Sequence, residues 1–432
     1  MPFSVLSHRP CGFHRWLAWT LAFGFVLAPA CAAAAEVSFD AALRLATERA
    51  PMLEARRLRI DAAREEAARA SALPDPRLTL GVNNWPVTGD DAFDFGADFM
   101  TMKQIGVMQE FPSHAKRRAR RAVAERTTEQ AHALSAAERL AVRRASAEAW
   151  IWLWATQRQS EALKALREPV AIAVEAAKAR LAGGTGTAVD AMTLQTAALE
   201  LENRIDAAEA DVDVAHAVLS RWLGEDAGIR GEPPDMLTLP IDEAVLLASI
   251  DRQAPLLSWR SREAVAEAEV TLASAEKRPD WNLGLTYGQR GDAPDGRPRS
   301  DMLMLQFAID LPLFTRNRQD RGIAARRAEW HAVAAAHDDA RRAQAAAVRS
   351  ALAEWKGLRR QLRRLHDQAL PLARDRSRTA LANYRAGGAL QLWIEASRDE
   401  IEIRIKHAHQ FVELGRAWAA LAYLLPEEES QP

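Results

Sequence analysis

Residues able to hold a soft metal occur at two matching places. Met100, Met102 and Met108 lie close together, and Met302 and Met304 repeat the pattern about two hundred residues later. Thioethers suit Cu(I), but methionine also fills gaps in packed walls. These five fall in or beside short alternating segments, so packing is the favoured reading. The histidines form no ligand set. His407 and His409 are two apart and cannot share a helix face. His331 and His337 are six apart and diverge around a helix. The only cysteines are Cys11 and Cys31, so the remainder of the chain has no thiolate. No nucleophile motif, phosphate-binding glycine loop or pair of catalytic carboxylates stands out. The sequence therefore predicts no enzyme, no metal site and no cofactor. What stands out instead is a pair of glycines.

That pair, Gly183 and Gly184, interrupts a long helical pattern in "ARLAGGTGTAVDAMT", and Gly387 and Gly388 do the same in "NYRAGGALQLWIEAS". Glycine costs about 1 kcal/mol against alanine inside a helix, so two paired interruptions mark turns rather than helix interior.

The 432 residues are 48% hydrophobic and 27% charged, with net charge −1. Such a balance excludes a helical membrane protein and a disordered chain, and it gives no reason to expect a nucleic-acid partner. Residues 1–35 read as a secretory signal. Arg9, His14 and Arg15 precede a short apolar run, and Ala33, Ala34 and Ala35 form the cleavage site. Cys31 is an alternative N-terminus carrying lipid, although Pro29 and Ala28 depart from the usual lipoprotein pattern. No later apolar run reaches the roughly 20 residues of a spanning helix. The chain either stays soluble outside the cytoplasm or crosses a membrane as strands.

The remainder repeats itself. "FDAALRLATERAP" resembles "IDEAVLLASIDRQAP", "PDPRLTLGV" resembles "PDWNLGLTYG", and the sequences around Pro112 and Pro312 correspond, as do the glycine pairs. The first unit spans 36–230 and the second 241–426, joined by a linker at 231–240 and followed by a tail at 427–432. Each opens with a helix (38–72 and 241–277), near whose start Asp40 and Asp242 are candidate caps. Strands follow at about 77–84 and 102–111, then at about 281–288 and 301–310. Helical hairpins at 113–223 and 315–425 complete the units, with tips at 183–187 and 387–391.

The strand segments alternate with period two. Leu303, Leu305, Phe307 and Ile309 share one face, as do Leu78, Leu80 and Val82, while Gln109 stands on the apolar side of its own segment. Short strands, apolar on one face and joined by polar loops, match a membrane barrel wall or a small soluble sheet packed on helices. The helices decide between these. From Ser113 to Leu181 there is no glycine, which predicts a helix roughly 100 Å long, kinked near Pro169 and, in the second unit, near Pro371. Helices of that length belong to a coiled coil or a helical tube. Four strands cannot close a barrel, and a membrane leaves no sheet edge unpaired, so several chains must pool their strands; three would give twelve. Two basic clusters follow the strands, Lys116, Arg117, Arg118, Arg120 and Arg121, then Arg316, Arg318 and Arg321. They are either solvated helix starts or contacts to inner-leaflet headgroups. The tryptophans of "AWIWLWA" (149–155) are assigned no site.

With these residues in place, the chain resembles the TolC family of outer-membrane efflux factors. The resemblance covers essentially everything after residue 35. It rests on the duplicated helix–strand–strand–hairpin unit and on the glycine turns, where Gly184 and Asp190 match the family's tip pattern best. Tyr384, Gly387 and Gly388 match in the second unit, but Ile394 stands where an Asp is usual, and Glu395 comes one place late. A shorter stretch, "DAFDFGADFMTMKQIGVMQEFP" (91–112), resembles the outer-membrane component of heavy-metal efflux systems of the resistance–nodulation–division (RND) type. The resemblance implies a mainly α fold with a small β part. It also implies a homotrimer with a 12-stranded barrel in outer-membrane lipid and a periplasmic α-helical barrel. The implied partners are a periplasmic adaptor at the tips (Gly183, Gly184, Tyr384, Gly387, Gly388) and an inner-membrane RND pump, with Asp190 as candidate gate. The duct is passive, and its opening is a shift between tip packings biased by the adaptor. The alternatives are a duct for drugs or for type I protein secretion or, in another class, a periplasmic adaptor or structural coiled coil.

Overall fold

The computed structural model describes residues 36–224, 227–293 and 295–426. The expected signal, Cys31 and the tail at 427–432 lie outside the described residues. The order helices, two strands, long helical hairpin runs twice along the chain.

The opening helix of each unit is broken where one continuous helix is predicted. In the first unit α1 (Phe39–Arg49) ends at Ala50, and α2 (Pro51–Arg69) begins with Pro51. Proline lacks the N–H that would continue α1 but suits a first helical turn. The cap of α1 is Ser38, whose side chain accepts from the Ala41 N–H, rather than Asp40. In the second unit only α6 (Glu243–Ala248) and α7 (Trp259–Ala275) are α-helical. Two 3₁₀ turns, Ile250–Arg252 and Ala254–Leu256, separate them. Asp242 stands at the N-cap of α6 without a side-chain bond.

Strands β1 (Arg77–Asn83), β2 (Met102–Phe111), β3 (Trp281–Arg290) and β4 (Met302–Ile309) form one antiparallel sheet in the order β1-β2-β3-β4. Each unit thus contributes one strand hairpin, and β2 against β3 joins them. From the foot of β2 rises α3 (His114–Lys164), capped by Ser113. Its 51 residues extend about 75 Å at 1.5 Å per residue. A break at Ala165–Leu166 leads into α4 (Arg167–Ala182), and α5 (Ala188–Leu223) returns. The second hairpin is α8 (Gln319–Arg364), one π-helical turn (Leu365–Ala369), α9 (Leu370–Arg385) and the returning α10 (Leu390–Ala422). Both breaks lie four residues or so before the prolines. A proline removes the bond to the carbonyl four residues back and crowds it, and a π turn is one way to absorb that loss.

Two cores hold the hairpins. The larger gathers Trp150, Leu153, Leu219, Trp355 and Trp418 around α1, with Phe39 edge-on to Trp150. The Trp150 and Trp418 indole N–H groups donate to the Val37 and Thr238 carbonyls, so the "AWIWLWA" segment is core. The smaller core, toward the turns, contains Leu163, Val170, Leu194, Ile205, Tyr384, Trp393 and Ile394.

Candidate functional site

The sheet is covered on neither face within the chain. One face carries Leu80, Ile105, Tyr287 and Leu303 in one row and Leu78, Val107, Leu285 and Leu305 in the next. Leu80, Leu303 and Leu305 are each more than 70% exposed. The other face carries Thr79, Gly106, Thr286 and Met304, and beside them Gly81, Gln104, Gly288 and Met302. Polar exceptions on the apolar face sit at its ends. Lys103 and Gln289 pair at one end. At the other, the Gln109 amide donates to the Pro74 and Glu110 carbonyls. Aromatic groups flank the apolar rows. Phe111 stacks on Trp281 at 4.0 Å at the foot, and Trp85 stacks on Phe95 at 4.4 Å in the loop beyond β1. An apolar band between aromatic girdles, backed by a polar face, is the composition of a membrane barrel wall. The methionines belong to this wall, with the Met102 sulfur packed against Gly288. Among the described residues no group of three or more His, Cys, Asp or Glu could hold a metal ion, and no helix is long and apolar enough to span a membrane.

The basic cluster after β2 is partly engaged inside the chain. The Lys116 Nζ donates to Asp280 Oδ2 at 2.5 Å, and Asp280 Oδ1 accepts from the Ser113 N–H at 2.7 Å. This tie fastens the foot of the first unit to the start of β3. Arg117 donates to the Ser71 carbonyl and Arg121 to Glu125, while Arg118 and Arg120 are exposed. After β4 the chain runs irregularly to α8, and Arg316 and Arg318 are exposed.

At the far end of the helices the two turns meet, and Arg180 joins them. Its Nη1 donates to the carbonyls of Tyr384 (3.2 Å) and Gly388 (3.3 Å), and its guanidinium lies over the Tyr384 ring at 5.1 Å. Tyr384 is 2% exposed, so its ring packs the tip rather than facing outward. Burial pushes its hydroxyl above the usual tyrosine range, Arg180 opposes that shift and Asp190 adds to it. The turns differ in construction. The first places Gly184 at φ +72° and closes with a capping box, in which Thr187 Oγ1 accepts from the Asp190 N–H and the Asp190 carboxylate accepts from the Thr187 N–H. The second places Gly387 at φ +102°, and Ala389 offers α10 no side-chain cap. Ile394 is buried in the lower core, and the neighbouring Glu395 is exposed and accepts from Gln391. A side chain buried among Trp393 and Ile401 is a poor place for a carboxylate.

Sequence spacing missed three pairings because they cross between helices. Arg180 reaches the opposite hairpin. His407, read against His409, instead meets His366 at the π turn, with Nδ1 of His366 3.3 Å from Nε2 of His407. Burial first and the neighbouring His366 second push His407 below the usual histidine range. His337 likewise pairs with Glu263 on α7, at 2.6 Å, rather than with His331.

Residues 42–225 match the model of the outer membrane efflux protein family. The match falls within the first repeat. Solved structures similar to it include a membrane protein from Pseudomonas aeruginosa, at 17% identity and TM-score 0.75, covering 92% of each chain. CusC, described with its transmembrane channel formation, is 12% identical with TM-score 0.72, covering 91% of this chain and 93% of its own. The outer membrane protein VceC from Vibrio cholerae is 19% identical with TM-score 0.64, covering 88% and 96%. At these identities the likeness is one of fold, and it extends over both repeats. No curated protein sequence matches the chain.

Proposed function

We propose that three copies of this chain form the passive exit duct of a tripartite efflux system. The observation that carries this reading is the sheet, four strands with an uncovered apolar face and two open edges. Such edges are tolerated in a bilayer only when further strands close them. Three copies supply twelve strands, an allowed barrel size, and six helical hairpins continue the wall as a tube into the periplasm. The tips at Gly183–Gly184 and Gly387–Gly388 dock a periplasmic adaptor that links the duct to an inner-membrane RND pump. The cargo is a heavy-metal cation, a reading supported by the 91–112 segment. Asp190 contributes its carboxylate to the constriction at the tips while capping α5.

The test is a deletion strain challenged with copper, silver, zinc, cobalt and cadmium salts and, in parallel, with drugs. Metal sensitivity reversed by the intact gene supports the cargo. Sensitivity to drugs alone removes the metal and leaves the duct. A soluble monomer in membrane fractionation sinks the duct itself. For the gate, Asp190→Ala in planar bilayers is expected to raise single-channel conductance or alter cation preference; unchanged conductance removes Asp190 from the gate.

A further inference from the structure

The repeat allows a contact between copies to be written from a contact within one. The two strand hairpins have the same register. Arg77 opposite Met108 in the first corresponds to Asn282 opposite Ala308 in the second, and Thr79 opposite Gly106 corresponds to Gly284 opposite Gln306. The junction between hairpins, β2 against β3, is also fixed, with Gly106 opposite Thr286, Val107 opposite Leu285 and Glu110 opposite Asn282. Resting on the trimeric reading above, we infer that β4 of one copy pairs with β1 of the next in the register of that junction. It sets Leu305 opposite Val82 of the next copy, Phe307 opposite Leu80, Ile309 opposite Leu78, Gln306 opposite Gly81 and Asp310 opposite Arg77.

Three observations favour this register. The three outer-face pairs that lie within both strands are apolar on both sides, as a lipid-facing row requires. On the inner face, Gln306 already has Gly284 on one side, with a Cβ position 3.7 Å from its own Cβ. The new register gives it Gly81 on the other, a glycine with no atom within 4 Å of its Cβ position. The third is charge. Asp310 and Arg77 are exposed and have no ion pair within the chain among the described residues. Below them, Asp75 and Arg316 hold the places that Asp280 and Lys116 hold at the internal junction, where those two form an ion pair. Asp75 and Arg316 are also exposed and unpaired among the described residues, so the same tie can form between copies. Slipping the seam by two residues one way sets Asp310 against Asp75, a like-charge pair that destabilises a ladder. Slipping it the other way sets Arg77 against Pro312, past the end of β4.

Disulfide trapping in the purified full-length protein tests the register. Directly opposite residues lie about 4.5–5.5 Å apart at Cα, within disulfide reach, whereas diagonal ones lie beyond it at about 7–8 Å. Leu80→Cys with Phe307→Cys is expected to give covalent trimers on oxidation, and Leu78→Cys with Phe307→Cys is not. A trimer linked through 78 and 307, or one that forms neither bond, overturns the register and leaves the trimer standing. A monomer in detergent overturns the trimeric reading itself. Arg77→Asp is expected to weaken assembly by about two- to fivefold per seam, as for an exposed pair, with Asp310→Arg in the same chain restoring it. Failure of that rescue while the 80–307 disulfide forms removes the ion pair and keeps the register.

Discussion

The two turns at the far end of the helices begin from the same glycine pair and finish differently. The first closes on itself through Thr187 and Asp190. The second lacks a cap and is held from outside by Arg180 of the first hairpin. The left-handed residue is the second glycine in one turn and the first in the other. A duplicated sequence has therefore yielded one self-supporting tip and one dependent tip. In a bistable end, the dependent tip is the one that releases when a single contact is broken.

Substitutions can break this comparison, and the largest effect is expected at the second tip. A Cβ on Gly388 would stand 2.9 Å from the Asn383 main-chain oxygen, whereas one on Gly183 meets nothing closer than 3.4 Å. Gly388→Leu should abolish efflux while leaving trimers on a gel, and Gly388→Ala should loosen the tip by about 1–3 kcal/mol. Gly183→Ala should be near neutral by the same melting and efflux assays. Gly184→Leu is also expected to abolish efflux without loss of the trimer, since its φ of +72° is strained for any side chain. Equal tolerance at Gly183 and Gly388 would end the distinction between the tips.

Next in size is Arg180→Ala, which removes two hydrogen bonds and a ring contact. Hydrogen exchange should rise about 10- to 100-fold across 384–390 and little across 183–187, in line with the roughly 1.5–3 kcal/mol of charged hydrogen bonds. Lysine should not restore protection, because it lacks the planar fork. Thr187→Ala is the mirror experiment. Loss of its cap should cost about 0.5–2 kcal/mol, read as faster exchange at the start of α5 with the second tip unmoved.

The smallest effect is with pH. His407 has a folded pKa below its unfolded one, so the unfolded chain binds the proton more readily. Stability is full above the ordinary value of about 6.5 and is lost as pH falls below it toward the folded value. The melting temperature should drop between about pH 7.5 and 5.5, and His407→Gln should flatten that dependence. A flat profile in the parent protein would remove His407 as a source of pH-dependent stability.

Much of the molecule was legible as pattern. Alternation of Leu303, Leu305, Phe307 and Ile309 marks a strand because side chains of a strand alternate faces. The glycine pairs mark reversals because only glycine enters the left-handed region without strain. The breaks before Pro169 and Pro371 follow from a missing donor. Less legible were the opening helices. Pro51 both ends α1 and starts α2, and the 3₁₀ turns around Pro255 leave little α-helix before α7. The site was the least legible part. Tyr384 reads as a residue of the tip, and its ring is buried there; Ile394 stands where an Asp is usual and is core; and Arg180 carries no pattern that names its partners.

The sequence by itself determined period, reversal and duplication, because these are properties of neighbours along the chain. Tertiary structure decided which partners meet across it. Arg180 with the Gly388 carbonyl, His366 with His407, and Lys116 with Asp280 are each separated by tens to hundreds of residues. Their meeting depends on how far helices of this length run before they turn and on which face each turns inward. Those quantities are set by packing in the two cores, around Trp150 and Trp393, and no local spacing encodes them.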